Sequence, residues 1–280
     1  MRRSAVVAGQ FYPSDAGDAE SFITSELSET GQKDYRGVIV PHAGWVFSGG
    51  VALRALAALK GGKEAVFVIL GAVHTYSSGR RPAVFPGGAW ETPLGDMPVA
   101  EGLISEYFDE SLFLHSTMAH EGEHSIEVQL PFLRYLYPES QIIPVSVPPG
   151  IQDGLGDYLN VLEKLKEEHP EVMFVASTDL THYGFHYGDS AYGTGAAGYD
   201  YVTRRKDPEF IQKVNSGAYM EIIPYALEHQ SACGPGGVAL LCGLFRKGSI
   251  RLLEYTTSYE RMPSGGLHSF VTYGSWGLKA

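Results

Sequence analysis

Residues 65–74 read Ala-Val-Phe-Val-Ile-Leu-Gly-Ala-Val-His, a short apolar run that ends in a glycine and is followed by a histidine. The run is rich in Val and Ile, so residues 65–70 are predicted to form a buried β-strand. The strand leads directly into a loop of small residues that contains His74. Because packing in a core calls for apolar side chains, a histidine at the end of a buried strand points to a functional site.

The same design occurs elsewhere in the chain. Three further apolar runs predict buried strands at residues 37–40, 142–147 and 172–176. The first is followed by His42, and the last is followed by Asp179 and His182. In open α/β sheets, ligands bind beyond the carboxyl ends of the strands. We therefore expect these polar side chains to converge on one edge of a sheet.

Segments with a helical pattern lie between the strands. Helices are predicted at residues 50–59, 153–168 and 218–229, and a pair of late strands, in an antiparallel arrangement, at residues 250–255 and 269–273. The Gly- and Tyr-rich stretch 183–201 is predicted to be a long loop that serves as a binding element or lid. The alternation predicts an α/β fold: one domain over residues 1–280, with a central mixed, largely parallel sheet covered by helices.

Composition excludes several functional classes. The chain has 280 residues, 44% of them hydrophobic and 19% charged, as in ordinary soluble domains. Its net charge of -11 opposes binding to a phosphate backbone, so nucleic acid is not an expected partner. No run approaches the roughly 18 apolar residues that a membrane span needs. The two cysteines do not suffice for a disulfide framework, and we expect a cytoplasmic protein.

His42 is the first candidate for a metal ligand. Pro41 ends the preceding strand, while Ala43 and Gly44 leave room for a ligand near the backbone. A histidine whose ring is satisfied by backbone groups at a turn is an equally good interpretation of this residue alone. The second loop of the same design, at His74, favours the metal interpretation.

The two cysteines have different surroundings. Cys233 precedes Gly234-Pro235-Gly236-Gly237 and is expected at a helix N-terminus, where the helix dipole favours a thiolate and hence a metal bond. Cys242 lies in an apolar run and is most simply a small core residue.

Asp179, His182 and His124 are candidates for catalytic groups. Asp179 and His182 follow a buried strand, and a neutral imidazole there could accept a proton from a substrate. Asp179 could orient this imidazole or reach a metal directly. The alternative is that Asp179 caps a turn and pairs with His182. His124 is predicted to open an amphipathic helix that contains Ile126, Leu130 and Leu133, either as a polar helix start or as a group facing the site.

Aromatic side chains near these blocks suggest a binding surface. Trp45, Tyr12, Tyr183 and Tyr187 are candidates for the walls of a cleft that holds a flat ring. Since 12% of the residues are aromatic, each of the four could equally be a core residue.

The blocks Pro41–Trp45, Gly71–His74, Glu123–Leu133, Ser177–His182 and Cys233–Gly237, in this order after Ala8-Gly9-Gln10-Phe11-Tyr12-Pro13, resemble the MEMO family. In prokaryotes this family is called AmmeMemoRadiSam system protein B. The resemblance extends to the segments at residues 255–258 and 273–274, so it covers nearly the whole chain. Two positions depart from the family pattern: Ala72-Val73 replaces the usual Pro-Ser before the histidine, and Trp45 replaces a common tyrosine.

The resemblance implies a fold, a ligand set and a cofactor. The MEMO family is similar in fold to class III extradiol dioxygenases of the LigB type, so a LigB-like fold is expected. It implies His42, His74 and Cys233 as protein ligands to a divalent metal, with Fe(II) as the first choice and Cu or Zn as alternatives. The family name also implies a functional link to radical-SAM and AMMECR-type proteins.

Two functions follow from the resemblance. One is a non-heme iron oxidoreductase acting on a small aromatic, catechol-like substrate, with His182 as base and His124 and Asp179 beside it. The other is a non-catalytic binding, regulatory or metal-homeostasis protein that retains the dioxygenase fold. Because the thiolate of Cys233 is oxidisable, simple catechols are expected to be cleaved slowly or not at all.

Overall fold

Strands and helices of the chain are given by a computed structural model that describes residues 1–27, 34–75, 79 and 81–280. The strands are β1 (Arg2–Arg3), β2 (Gly37–Val40), β3 (Val66–Gly71), β4 (Ala83–Val84), β5 (Ala89–Trp90), β6 (Met97–Pro98), β7 (Leu114–His115), β8 (Gln141–Ser146), β9 (Val172–Ser177), β10 (His182–Gly184), β11 (Ser249–Thr257) and β12 (Ser269–Lys279). The α-helices are α1 (Ala16–Glu26), α2 (Gly50–Ala57), α3 (Glu101–Tyr107), α4 (Leu130–Leu136), α5 (Leu155–Glu168), α6 (Ala196–Tyr201), α7 (Asp207–Asn215), α8 (Tyr219–His229), α9 (Pro235–Leu244) and α10 (Ser258–Arg261). Short 3₁₀ or π turns occur at Trp45–Gly49, Met118–His120, Glu127–Gln129, Phe185–Tyr187, Val202–Lys206 and Pro263–Gly265.

The large sheet is parallel at its centre and antiparallel toward both sides. Within the described residues it has nine strands, in the order β10-β12-β2-β9-β3-β8-β4-β7, with β11 paired to β12. Strands β2, β9, β3 and β8 run parallel to one another. Strand β12 is antiparallel to β2, and β4 is antiparallel to β8. This arrangement confirms the predicted central mixed, largely parallel sheet.

The central strands are buried because helices cover the sheet. Every residue of β2, β3 and β9 is buried, as the Val- and Ile-rich runs predicted. Helix α9 packs on β9 and β2, α2 packs on β2 and β12, and α5 packs on α9. No helix in the described part of the chain is both long and apolar enough to cross a membrane.

Two predicted elements differ from the structure. The stretch predicted as a loop at residues 183–201 contains β10 and α6, because Tyr183 pairs with Phe270 of β12 and extends the sheet. The helix predicted to open at His124 begins at Leu130, after a 3₁₀ turn. The late strands pair antiparallel as expected, although β11 and β12 are both longer than predicted.

Candidate metal centre

Three adjacent strands deliver polar side chains to one edge of the sheet. Strands β2, β9 and β3 are parallel neighbours, so their carboxyl ends lie side by side. The residues that follow them include His42, Asp179 and His74 respectively. A fourth segment reaches the same edge because Gly71 has no side chain: a Cβ there would lie 2.5 Å from Cγ1 of Ile126. Residues 123–126, called the His124 loop below, therefore pack directly on the end of β3.

Three imidazoles meet at this edge. One ring nitrogen from each of His42, His74 and His124 lies within 4.8 Å of the other two. The ring centroids are 5.1 Å apart for His42 and His74, 4.7 Å for His74 and His124, and 5.4 Å for His42 and His124. Nitrogens bound to one tetrahedral ion at about 2.1 Å lie about 3.4 Å apart, so small side-chain rotations would bring the three onto one ion. The three histidines thus form a group that could hold a divalent metal ion.

His42 presents a lone pair to the centre of this group. Oγ of Ser177 donates its hydrogen to the carbonyl of Ser125 at 2.7 Å, so it accepts from Nδ1–H of His42 at 2.9 Å. Nε2 of His42 is therefore the unprotonated nitrogen in the neutral ring. Burial lowers the pKa of His42, against the opposing effect of Cys233, and favours this neutral form.

Glu123 joins the two other histidine loops. Its buried carboxylate accepts the backbone N–H of His74 at 2.6 Å and Nδ1–H of the same residue at 3.0 Å. Oε1 also accepts the N–H groups of His124 and Ser125, each at 2.9 Å. The bond to Nδ1 leaves Nε2 of His74 to face the other imidazoles. A carboxylate that holds a ligand histidine in this way is a common feature of metal sites.

Cys233 interacts with His42 and His74. Its Sγ is 3.2 Å from Nε2 of His42 and accepts the backbone N–H of Asp179 at 3.2 Å. The residue lies two positions before α9, as the sequence predicted. Burial alone would raise the pKa of the thiol, but charge and hydrogen bonding from His42 and His74 outweigh it and lower that pKa to about 6. The sulfur is a thiolate when Nε2 of His42 carries the proton between the two atoms, and the thiolate is the form that binds metals.

The pKa values of His74 and His124 are strongly shifted in opposite directions. Burial lowers the pKa of His74, but hydrogen bonds to Cys233 and Glu123 outweigh burial and raise it to about 10. Burial and the neighbouring charge of His74 lower the pKa of His124 to about 4, so this ring is neutral at pH 7. The set of imidazoles and a thiolate fits Fe, Cu or Zn in donor type.

Asp179 and His182 border the same space. Oδ1 of Asp179 accepts the backbone N–H of His42 at 2.8 Å, and burial raises the pKa of the Asp179 carboxyl. Nδ1 of His182 lies 3.1 Å from the carbonyl of Leu180, to which it donates in the neutral tautomer. Nε2 of His182 is then an acceptor. The ring of Tyr187 stands edge-on to His182, with the centroids 5.1 Å apart.

A cavity of about 450 Å³ opens above these groups. Its floor is formed by the side chains of His42, His74, His124, Asp179 and His182. Its aromatic walls are formed by Phe11, Phe47, Tyr187, Tyr259 and Tyr273. Two of the three predicted metal ligands and all three predicted catalytic residues therefore line one cavity. The third predicted ligand, Cys233, is not among the lining residues but contacts His42.

Comparison with known proteins identifies the family of this chain. The family model described as Memo-like protein matches residues 3–276. The chain belongs to the Memo-like protein family. It is 38% identical to a MEMO1 family protein of Pyrococcus furiosus over 282 residues, which covers 93% of this chain and 94% of that protein. It is 35% identical to a MEMO1 family protein of Thermotoga maritima over 274 residues, covering 92% and 93% of the two chains.

A solved structure outside these relatives is similar in fold. The crystal structure of an uncharacterized protein from Escherichia coli K12 superposes with a TM-score of 0.52 at 13% identity. The match covers 86% of this chain and 98% of that chain. At this level of identity the similarity extends to the fold alone.

Three aromatic residues predicted to bind substrate lie outside the cavity of this Memo-like chain. Trp45 is buried, stacks on Phe132 and donates its indole N–H to the carbonyl of Val128. The hydroxyl of buried Tyr12 donates to Glu127. Tyr183 is also buried, and its hydroxyl donates to the carbonyl of Gly193. Their polar atoms are thus used within the protein.

Several site residues were not identified from the sequence. Phe11 packs on His124, with the ring centroids 4.7 Å apart, and Tyr273 is buried beside Asp179. Glu123 could have been found from its position next to His124 in the Glu-His-Ser-Ile-Glu block. For Phe47, Tyr259 and Tyr273 no sequence signal distinguishes a cavity wall from a core position.

An outer set of contacts supports the His124 loop. The buried guanidinium of Arg3 donates to Oε2 of Glu127 at 2.7 Å and to the carbonyl of Glu123 at 2.7 Å. Oε1 of Glu127 accepts the N–H groups of Val6 and Val7. The N-terminal segment is thereby attached to the loop that contains His124 and Glu123.

Proposed function

We propose that this chain is a metal-dependent protein in which His42 and His74, together with Cys233, hold one divalent ion at the floor of the cavity. The observation that supports this most directly is the convergence of several metal-binding side chains at one open cavity. Fe(II) is the proposed ion, with Cu and Zn as alternatives, because imidazole and thiolate donors suit all three. His124 stands close enough to be a further ligand.

The proposed activity is that of an oxidoreductase acting on a small aromatic, catechol-like substrate. A bound ion would supply Lewis acidity toward substrate oxygens and, if it is iron or copper, redox chemistry. The chain's own residues would orient the ring and move protons. The aromatic walls offer faces for a flat ring, since Phe11, Phe47 and Tyr259 line the cavity.

His182 is proposed to act as the base. In the neutral ring its Nδ1–H is directed to the carbonyl of Leu180, so Nε2 is free to accept a proton from a substrate hydroxyl. Tyr187 restricts the motion of the ring by its edge-on contact. Asp179, whose carboxylate bonds the backbone of His42, would position the floor of the site rather than take up the proton itself.

A second candidate function is a non-catalytic one. Here the chain binds its ion for regulation or metal homeostasis and retains the dioxygenase-like fold without turnover. The specific observation in its favour is the sulfur of Cys233, 3.2 Å from His42, because a thiolate at an oxygen-activating centre is itself open to oxidation. Slow or absent cleavage of simple catechols would agree with this function.

Metal analysis tests the first part of the proposal. Anaerobically purified protein should contain one equivalent of metal, and His42→Ala and Cys233→Ala should each lose it without unfolding. The matched control is His229→Ala, which removes an exposed histidine of α8. Full metal content in His42→Ala would refute the proposed centre.

Oxygen uptake separates the two candidate functions. The iron-loaded protein is mixed with catechol, and oxygen consumption is followed in the wild type and in His182→Gln. Rapid stoichiometric uptake that disappears in His182→Gln, with the metal retained, would establish the oxidoreductase. Metal binding without uptake would favour the binding protein, whereas loss of metal in His182→Gln would make His182 a ligand.

A further inference from the structure

The cavity has a second wall that is built independently of the histidines. The chain between β11 and β12, together with the start of β12, contributes this wall, which includes Tyr259, Met262, Gly265 and Val271. The metal-binding side chains come instead from the ends of the central strands and from the His124 loop. Substitutions in the second wall can therefore alter ligand fit without touching a metal-binding residue.

Apolar side chains stand exposed at the mouth of the cavity. Tyr187 and Met262 both line it, yet their exposed fractions are 46% and 41%. They come from distant parts of the chain and face one opening. Exposed apolar groups that cluster around a cavity commonly mark a binding site for an apolar group.

The cavity is also larger than a small chelating group requires. Its volume of about 450 Å³ lies within the range of about 300–1,000 Å³ that holds drug-sized ligands. A group that only binds the ion would fill part of the floor. The remaining space extends along the second wall toward the mouth.

Gly265 lines the cavity at an exposed position and contributes no side chain to it. A Cβ placed on Gly265 would meet no heavy atom of the described chain within 4 Å. The neighbouring Gly266 has a φ of +72°, which disfavours any side chain, but Gly265 has no such restriction. The absence of a side chain at Gly265 is thus not demanded by the backbone, and a ligand could occupy the space.

We propose that the ligand consists of a metal-binding head and an uncharged, apolar arm that lies against Met262 and Tyr187 and passes Gly265. Gly265 is then a specificity-determining residue that admits the arm. The charge of the second wall agrees with an uncharged arm, because the described residues with which this wall lines the cavity include neither acidic nor basic side chains. This inference rests on the proposed function in one respect, namely that a bound ion holds the head.

Hydroxamates test the inference because their head binds divalent ions while the arm can be varied. The full-length protein is loaded with zinc, and dissociation constants are measured by calorimetry for acetohydroxamate, hexanohydroxamate and the monohydroxamate of adipic acid. Hexanohydroxamate should bind about tenfold to a hundredfold more tightly than acetohydroxamate, since full burial of one methylene contributes about fourfold. The adipic compound, with its terminal carboxylate, should lose most of this gain.

Substitution of Gly265 locates the arm. Gly265→Trp should lower the preference for hexanohydroxamate over acetohydroxamate by at least about tenfold, since the new side chain competes for the same apolar space. The matched control is Gly62→Trp, because a Cβ on Gly62 also meets no heavy atom within 4 Å but Gly62 does not line the cavity. Zinc content, measured for each variant, reports whether the ion site is intact.

The outcomes separate this inference from the proposed function. If acetohydroxamate fails to bind the zinc-loaded protein, the open metal site of the proposed function is refuted. Equal affinity for acetohydroxamate and hexanohydroxamate would overturn the apolar arm and leave the metal site standing. Tighter binding of the adipic compound than of hexanohydroxamate would overturn the proposal that the arm is uncharged. An unchanged preference in Gly265→Trp would overturn the role of that residue.

Discussion

Glu123→Gln is the most informative single substitution at this centre. The carboxylate of Glu123 accepts two hydrogen bonds from His74, one from His124 and one from Ser125. A glutamine whose oxygen takes the place of Oε1 retains three of these bonds. Its amide nitrogen would then face the backbone N–H of His74, where Oε2 now lies 2.6 Å from the donor nitrogen. Two donors would oppose each other in a buried position.

The magnitude follows from these contacts. An unsatisfied buried donor costs about 1–3 kcal/mol, and removal of an outer partner of a ligand histidine typically lowers metal affinity about 10–100-fold. We expect Glu123→Gln to remain folded and to bind Zn²⁺ about 10–100-fold more weakly. Competition with a chromophoric chelator measures the affinity, and circular dichroism verifies the fold.

The control is Glu121→Gln, the same chemical change two residues away at an exposed position. It should leave the affinity for Zn²⁺ unchanged. An affinity in Glu123→Gln within threefold of the wild type would refute the reasoning, because the hydrogen bonds of Glu123 would then not position the imidazole of His74. Loss of folded structure in Glu123→Gln would instead show that the carboxylate serves stability first.

Three further predictions concern the support of the site. Arg3→Met removes the only cationic partner that the described residues give the buried carboxylate of Glu127. It should cost about 3–5 kcal/mol of unfolding free energy in denaturant titrations, and Arg3→Met/Glu127→Gln should recover part of this loss. Burial lowers the pKa of His120 to about 4, so the unfolded chain takes up this proton first as pH falls. The stability contribution of His120 is complete above about pH 6.5 and should drop by about 2 kcal/mol between pH 7 and pH 5. His120→Gln should remove this part of the pH dependence, while the part due to His124 remains. Gly71→Ala places a Cβ 2.5 Å from Cγ1 of Ile126 and should reduce bound zinc by displacing the His124 loop, whereas Gly62→Ala should not.

The central strands were predictable because burial on both faces leaves a strong signal. Residues 65–70 and 172–176 correspond to β3 and β9 within one residue at each end. The positions of β4 to β7 were not predictable, since strands of two residues have too little periodicity to distinguish them from loops. The prediction of a loop at residues 183–201 was wrong for a related reason. Strand β10 at the start of this stretch has three residues, and it is formed by pairing with β12 rather than by a pattern of its own.

The convergence of side chains on the cavity was predictable where a polar residue follows a buried strand. His42, His74 and Asp179 were found in this way, because core packing gives no reason for a polar side chain there. Tyr187 was among the candidates for the aromatic walls and lines the cavity. The other wall residues were not predictable, since an aromatic ring serves equally well in a core and in a cavity. Trp45 and Tyr12 illustrate this ambiguity: both contact residues that support the site, but neither borders the cavity.

His42 and His74 are the donors on which the metal hypothesis depends. The Nδ1 atom of each is engaged by a buried oxygen, of Ser177 and of Glu123, so both rings direct Nε2 into the same space. The sequence predicted Cys233 as the third ligand beside His42 and His74, and its sulfur contacts His42. The structure also brings His124 close to the same two histidines. A sulfur donor favours the softer ions and exposes the centre to oxidation, whereas a third imidazole does neither. In the proposed centre the two histidines would therefore fix where an ion binds, and the donor that completes the set would govern which chemistry the ion supports.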